Sequence, residues 1–439
     1  MRTTRILFPT ILVLSAGLYA KADDWPQWLG AARDSVWREK GVIDSFPEGG
    51  PKVLWRVRIG SGYAGPAVAD SRVYVADLVT KADVIKLGDP NKRAKVVGKE
   101  RILCLDAKTG SELWKHEHDV TYDISYPSGP RCTPTVTGGK VYALGAAGNL
   151  FCLDAKKGTV LWSKDFTKDY GAKTPNWGFA GHPLVDGKKL ICMVGGKDSA
   201  VVAFDKDSGK EIWKSLDSED AGYSSPALIT AGGKKQLVIW LPKTLHGIDA
   251  QTGKPYWSVP LVAQYGMSIM TPRKLGDYLF AGGIGWQAVL LKLDQDKPAV
   301  TEVWRGNRNT AVYPVNSTPF LEDKTIYGVN QPGELRAVDL ITGKRLWETT
   351  KPTTGDAPEN SGTAFLVKNG ERFFLFNEKG ELIIAKLSRK GYEEISRAKL
   401  LEPTSNAFGR PVVWSHPAFA NKCVFARNDK EIVCASLAK

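Results

Sequence analysis

The sequence predicts an all-β chain folded as an eight-bladed β-propeller of four-stranded antiparallel blades, and three observations carry that expectation. First, one unit recurs along all 439 residues. It reads NLFCLDAKKGTVLW from Asn149 to Trp162: an apolar strand, a turn from Asp154 to Gly158, and a second strand ending on tryptophan, which is hairpin spacing. The same unit appears as ILCLDAKTGSELW (Ile102 to Trp114), VAFDKDSGKEIW (Val202 to Trp213), HGIDAQTGKPYW (His246 to Trp257) and RAVDLITGKRLW (Arg336 to Trp347), with a looser copy from Leu291 through Asp294 to Trp304. Second, a small residue or histidine before proline opens an apolar strand at Pro66, Pro134, Pro183, Pro226, Pro272, Pro319 and Pro417, and SGTAFL (Ser361 to Leu366) fills an eighth slot. Third, VLWRVRIG (Val53 to Gly60) reads as the end of a repeat without its beginning, while His416 to Leu437 reads as a beginning without its end. Joining the two closes a ring.

The elements follow in order. Residues 1–22 are expected to be a signal peptide: Arg2 and Arg5, a thirteen-residue apolar run from Ile6 to Leu18, then Ala20-Lys21-Ala22 before Asp23. The run is too short for a membrane span of about 20 residues, so the mature chain is expected to be exported, soluble and not membrane-spanning, in the periplasm or cell envelope. Residues 23–52, rich in tryptophan and turn residues, are expected to form an irregular arm. Residues 53–439 are expected to be the propeller, because single repeats cannot bury a core alone.

Each repeat reads as four strands. Proline cannot donate a ladder hydrogen bond, so it belongs at the start of the innermost strand. The second strand is RVYVAD (Arg72 to Asp77) and its counterparts KVYALG, QLVIWL and TIYGVN; the third is the LCLD strand and the outer one ends at the tryptophan. Most strand openings are 43 to 53 residues apart, and the longer interval from Pro66 to Pro134 contains the basic segment Lys81 to Arg101, expected to be a solvated insertion loop. The seventh blade, Gly380 to Leu400, lacks both the turn aspartate and the tryptophan and is expected to pack less tightly.

The structural motif of the blades is therefore Asp106, Gly110 and Trp114; Asp154, Gly158 and Trp162; Asp205, Gly209 and Trp213; Asp249, Gly253 and Trp257; and Asp339, Gly343 and Trp347. The aspartate can accept bonds from the amides of its own turn, and glycine supplies the positive φ that ends it. The tryptophan is expected to plug the gap to the next sheet.

Loss of Arg2, Arg5 and Lys21 with the signal peptide lowers the formal net charge from +13 to +10. Nucleic-acid binding would need basic residues interleaved with stacking aromatics, and Lys81 to Arg101 contains no aromatic residue. Of the six cysteines, Cys104, Cys152 and Cys434 share one position before the turn, where a small apolar side chain fills space. A two-residue turn at Asn428-Asp429 would place Cys423 directly opposite Cys434, in a pair either reduced or disulfide-bonded. His116 and His118 share one strand face but lack a third ligand, so no metal site is expected.

Chemistry must sit in the loops between copies, which open on one face around the axis. The candidate ligand face there is Tyr63, Arg131, Trp177, His182, Tyr223, Arg273, Trp286, Arg308, Asn316, Arg410, Trp414 and His416, with Met270, Tyr313 and Asn360 in the same loops. Converging aromatics and arginines suit a ligand or peptide site. The histidines stand where other blades have Gly, Ser or Thr, which favours hydrogen-bonded inner-strand residues over metal ligands. No catalytic residue is recognisable: G-x-S-x-G and H-E-x-x-H are absent, and GGIGWQ (Gly282 to Gln287) follows no strand-to-helix pattern.

The blade unit resembles the pyrroloquinoline-quinone (PQQ)-like repeat family, the quinoprotein-dehydrogenase-like propellers, whose motif is A/L-D-A-x-T-G-x-x-x-W. The match runs over essentially the whole mature chain, and DWPQWLG (Asp24 to Gly30) is similar to the start of mature family members. The resemblance implies two functional classes on one scaffold. One holds calcium- and quinone-dependent alcohol or sugar dehydrogenases, with an adjacent cysteine pair or another stacking partner over the quinone, Glu, Asn and Asp around calcium, and an Asp base. The other holds non-catalytic scaffolds such as the propeller of the outer-membrane barrel-assembly machinery. This chain has no adjacent cysteine pair and no C-x-x-C-H haem site, and no calcium ligand can be carried across by position. The expectation is an exported, monomeric binding or scaffold protein with a protein or polymer partner and no cofactor. The alternative is a PQQ- and calcium-dependent oxidoreductase with a diverged site.

Overall fold

The computed structural model describes residues 23–439, so the expected signal peptide lies outside the described residues. Eight four-stranded antiparallel sheets are arranged as the blades of a propeller. Blades 1 to 7 occupy residues 67–124, 135–165, 184–215, 227–260, 273–305, 320–349 and 364–399. Blade 8 joins Ala418–Ala420, Cys423–Arg427 and Glu431–Ser436 to Val53–Arg58, its outer strand, with Trp55 opposite Cys434. The two incomplete repeats thus complete one sheet, and pairing the chain's two ends leaves no blade short of a strand. Each of the eight expected openings lies directly before an innermost strand. A separate two-stranded hairpin, Ser405–Ala407 with Arg410–Val412, sits in the connection to blade 8.

The repeat motif works as a lock between blades. In blade 2, Asp154 Oδ1 accepts from the backbone N–H groups of Lys156 and Lys157 at 2.9 and 2.8 Å, and these bonds hold its carboxyl below the usual carboxylate range. Gly158 then closes the turn at φ +71°. Its bare Cα faces Trp114 of blade 1, and a Cβ there would stand 2.5 Å from the indole. The same docking places Gly110 on Trp55, Gly209 on Trp162, Gly253 on Trp213 and Gly343 on Trp304. Glycine is therefore required twice, for its backbone angle and for the approach of the ring. The indole N–H groups of Trp55, Trp114, Trp162 and Trp304 donate to carbonyls of the next blade at 2.9 to 3.1 Å. Blade 5 has no glycine in its turn, and Trp257 bonds instead to Gln236 Oε1 of its own blade at 2.9 Å. A β-bulge recurs at the tryptophan: Cys152 faces Trp162 and Leu153 faces Val160, so Leu161 is skipped and left exposed.

Several expectations are corrected. The turn after Arg427 spans four residues, because Arg427 pairs with Ile432 and Ala426 with Val433. Cys423 therefore faces Ser436, and Cys434 faces Phe425; the two thiols are diagonal neighbours, and all six cysteines are free and buried. Residues 94–101 of the basic segment are strand rather than loop, since three strands of blade 1 lengthen to Arg72–Thr80, Ala94–Asp106 and Glu112–Ile124. Only residues 81–93 connect them. Blade 7 is not loosely packed: Phe373, Phe374, Phe376, Leu382, Ile383 and Ile384 are each 0–1% exposed. Ser396 stands in its tryptophan slot, opposite Ile384, and accepts the backbone N–H of Phe46 from the arm at 3.0 Å.

That arm, residues 23–52, is irregular as expected, but it runs through the axis. Trp25 pairs with Val68 of blade 1, and Pro26 O accepts from Val136 of blade 2. Arg33 donates to Pro183 O and Pro226 O at the mouths of blades 3 and 4, while Arg273 of blade 5 donates to Arg33 O and Asp34 O at 2.8 Å each. Val36 and Trp37 pair with Lys368 of blade 7 before the chain passes out to blade 8. Residues of blades 1, 2, 5 and 7 thus satisfy backbone groups of a segment with no regular structure of its own, and the Arg33 side chain ties it to blades 3 and 4.

Candidate ligand-binding funnel

The arm closes one end of the axial channel and leaves a blind funnel of about 770 Å³ at the other. Its floor is Trp28. The indole stacks on His182 with ring centres 4.1 Å apart, lies 4.8 Å from His416, and donates from Nε1 to Thr271 Oγ1 at 3.0 Å. His182 Nδ1 is 3.0 Å from Ser225 Oγ. Burial drives both imidazoles toward the neutral form, His182 well below the ordinary histidine range and His416 down to about 4. They are inner-strand residues as expected, and their role is to clasp the plug.

The walls come from loops that join an outer strand to the next inner strand, which is where sequence reasoning looked. Tyr63, Arg131, Trp177, His182, Tyr223, Asn316, Trp414 and His416 converge on the funnel, together with Asn360. Trp177 and Tyr223 meet edge to face at 5.6 Å, and Trp414 packs 5.9 Å from Tyr126. Arg131 lies over the Tyr63 ring at 5.1 Å and donates to the carbonyls of Ser125, Tyr126 and Gly129. Burial lowers its pKa, and three of its donors are engaged by these backbone oxygens.

Four expected residues lie elsewhere. Arg273 is held by the arm on the far side of the Trp28 plug. Trp286 packs edge to face on buried Tyr313 at 5.3 Å, outside the lining. Arg308 is exposed on the blade 5 to blade 6 connection. Arg410 sits behind the wall, where Nε donates to buried Glu378 at 2.8 Å and Nη2 to Asn360 O. Met270 is buried outside the funnel, its sulfur accepting from Gly282 N.

The sequence reading missed Trp28, Asn91, Tyr126, Asn176, Gln264, Tyr265, Gln331 and Phe408. Trp28 gave no signal because nothing in the arm's composition says that it threads the axis. Gln264, Tyr265 and Phe408 lie in the same class of connection that supplied Trp177, so that rule could have found them. Tyr265 and Phe408 form the rim, 74% and 43% exposed, with φ of +57° and +52°. Large side chains rarely take that backbone conformation, which costs on the order of 1–3 kcal/mol.

Among the described residues, no aspartate or glutamate lines the funnel, and the one guanidinium there is bonded to three carbonyls. Among the described residues no group of three or more His, Cys, Asp or Glu is placed to hold a metal ion. His116 and His118 flank Phe151 at 4.7 Å each, remote from the funnel. The calcium set implied by the quinoprotein resemblance needs carboxylate oxygens under a flat aromatic. The lining supplies aromatics and amides but no carboxylate, so these residues do not fit that group.

The fold and repeat define a PQQ-like repeat β-propeller. A family model described as outer membrane protein assembly factor BamB matches residues 98–284 and 275–439, and the chain belongs to that family. Among solved structures it is similar to BamB from Moraxella catarrhalis, at 16% identity over 88% of this chain and 99% of that one, with a TM-score of 0.55. It is also similar to quinohemoprotein alcohol dehydrogenase from Comamonas testosteroni, at 14% identity over 95% and 81% of the chains and a TM-score of 0.59. A computationally designed protein, Ika8, matches at 11% identity over 88% and 100%, with a TM-score of 0.55. At these identities the likeness shows the fold alone. No curated protein matches the sequence.

Proposed function

We propose that this protein is an exported, non-catalytic propeller that binds a protein or polymer partner through its loop-lined funnel. The observation that carries the reading is the chemistry of the lining: a blind cavity of about 770 Å³, within the usual range for ligand sites of about 300–1,000 Å³, with aromatic and amide side chains and no carboxylate. General base catalysis needs a proton acceptor poised near neutrality. The two imidazoles here are buried, pressed against Trp28 and held neutral by burial. Membership of the family described as an outer-membrane assembly factor supports a binding role. No described helix is long and apolar enough to cross a membrane, and export rests on residues 1–22, whose removal would leave Asp23 as the first residue of protein recovered outside the cytoplasm.

The second reading, a PQQ- and calcium-dependent oxidoreductase, is favoured only by the fold shared with the alcohol dehydrogenase. Titration of the mature chain with PQQ and Ca²⁺, followed by absorbance and by dye-linked alcohol oxidation, separates the two. The expected result is no stoichiometric binding and no oxidation; stoichiometric binding with turnover would sink the binding-protein reading.

A further inference from the structure

We infer that the funnel takes a neutral oligosaccharide, a reading that rests on its being a binding site and names the ligand class. The walls are rich in aromatic rings: Tyr265 and Phe408 are exposed at the rim, Trp177 and Trp414 are half-buried, and Trp28, stacked on His182, forms the floor. Between them stand Asn91, Asn176, Gln264, Gln331 and Asn360, whose side-chain amides carry no hydrogen bond to another described residue, while Asn316 reaches only Ser361 O at 3.5 Å. A primary amide offers two donors and an acceptor in one plane, which matches neighbouring hydroxyl groups on a sugar ring. The electron-rich face of an aromatic ring receives the ring's polarised C–H face. A pyranose is one of few ligands with both surfaces on every residue, apolar above and below and hydroxylated around its edge.

The charge pattern points the same way. The absence of carboxylates from the lining gives a cation no counter-charge, and Arg131, the one cationic group of the lining, is bonded to three backbone carbonyls. Desolvating an anion against that set would cost more than it returned. A peptide is served less well, because peptides usually gain their main-chain bonds by extending a strand edge. The funnel wall is made of loop side chains, and the arm already occupies the inner strands below it. The rim adds an independent observation: two exposed aromatics, Tyr265 and Phe408, are held at positive φ in the connections from blade 4 to blade 5 and from blade 7 to blade 8.

The test uses the mature chain, titrated with neutral hexasaccharides of gluco, manno, galacto and xylo configuration and, separately, with a randomised hexapeptide pool, read by calorimetry and tryptophan fluorescence. At least one saccharide should bind saturably with a Kd tighter than about 1 mM. Trp177→Ala and Tyr265→Ala should each weaken it by about tenfold or more, as expected for an aromatic anchor, while Leu113→Ala on the exposed outer edge of blade 1 leaves it unchanged. Tyr265 is exposed, so its variant keeps the fold and the test stands even if Trp177→Ala destabilises the protein. Absence of saturable binding by all four saccharides overturns the inference. Peptide binding alone, lost in the same variants, also overturns it but leaves the funnel a binding site; PQQ and Ca²⁺ binding with no response to either panel overturns both readings.

Discussion

Replacing Trp37 by alanine should lower the unfolding free energy by about 3–5 kcal/mol, the usual cost of deleting a fully buried tryptophan. Trp37 belongs to the irregular arm, yet it is 1% exposed. It packs against Phe374 of blade 7 at 5.5 Å and Phe419 of blade 8 at 5.2 Å. Its indole donates to Glu39 Oε2 at 2.8 Å, and its backbone N–H donates to Lys368 O at 2.8 Å. Removing the ring would open a cavity where two blades and the arm meet, and few neighbours there are free to collapse into it. Chemical denaturation of the variant checks this, and an unchanged midpoint would mean that the arm is an accessory rather than part of the core. Trp162, half-buried at the blade edge over Gly209, should lose less in the same experiment, because much of its surface stays in water.

The second large effect is on pH. His416 is 6% exposed and held neutral, its pKa pushed down to about 4 by burial, whereas in the unfolded chain it titrates near 6.5. Between those values the unfolded state binds a proton that the native state does not, so stability falls as pH falls through the window from about 6.5 to 4. For His416 alone the loss is on the order of 3 kcal/mol. His182, shifted in the same direction by burial and by nearby Arg33, steepens the fall. Glu100, buried and pushed upward, acts in the opposite sense. The difference between wild type and His416→Gln isolates the histidine: the variant should show a shallower loss of stability from pH 7 to pH 4.5. Parallel curves would mean that the imidazole is not desolvated against Trp28.

Both predictions concern the axis, and the axis is where sequence and structure part. The blade motif was legible because it is local. Asp154, Gly158 and Trp162 lie within one hairpin, and their spacing records a turn whose geometry is fixed by bonds between near neighbours. Ring closure was legible for a related reason, since Val53–Arg58 and Glu431–Ser436 are halves of one recognisable repeat. The loop class that would face the axis was legible as well, which brought eight candidate residues to the funnel. The side on which each loop residue projects was not: Arg273 and Trp414 each lie within three residues of a strand opening, but one bonds to the arm and the other lines the cavity. The register of the last hairpin was misread by two residues because Asn428 Oδ1 caps a four-residue turn by accepting from the N–H groups of Lys430 and Glu431.

By itself, the sequence determined the all-β class, the eight blades, their closure and the turn chemistry that docks one blade on the next. These rest on short-range periodicity and on backbone angles that only certain residues adopt. Only the tertiary structure decided that the arm threads the channel from Trp25 to Trp37, that Trp28 rather than any blade residue forms the funnel floor, and that the lining, among the described residues, contains no carboxylate. Those facts depend on contacts between residues up to several hundred positions apart, Trp28 with His416 and Trp37 with Phe419 among them. No local pattern encodes such contacts, because they exist only once the ring has closed around the arm.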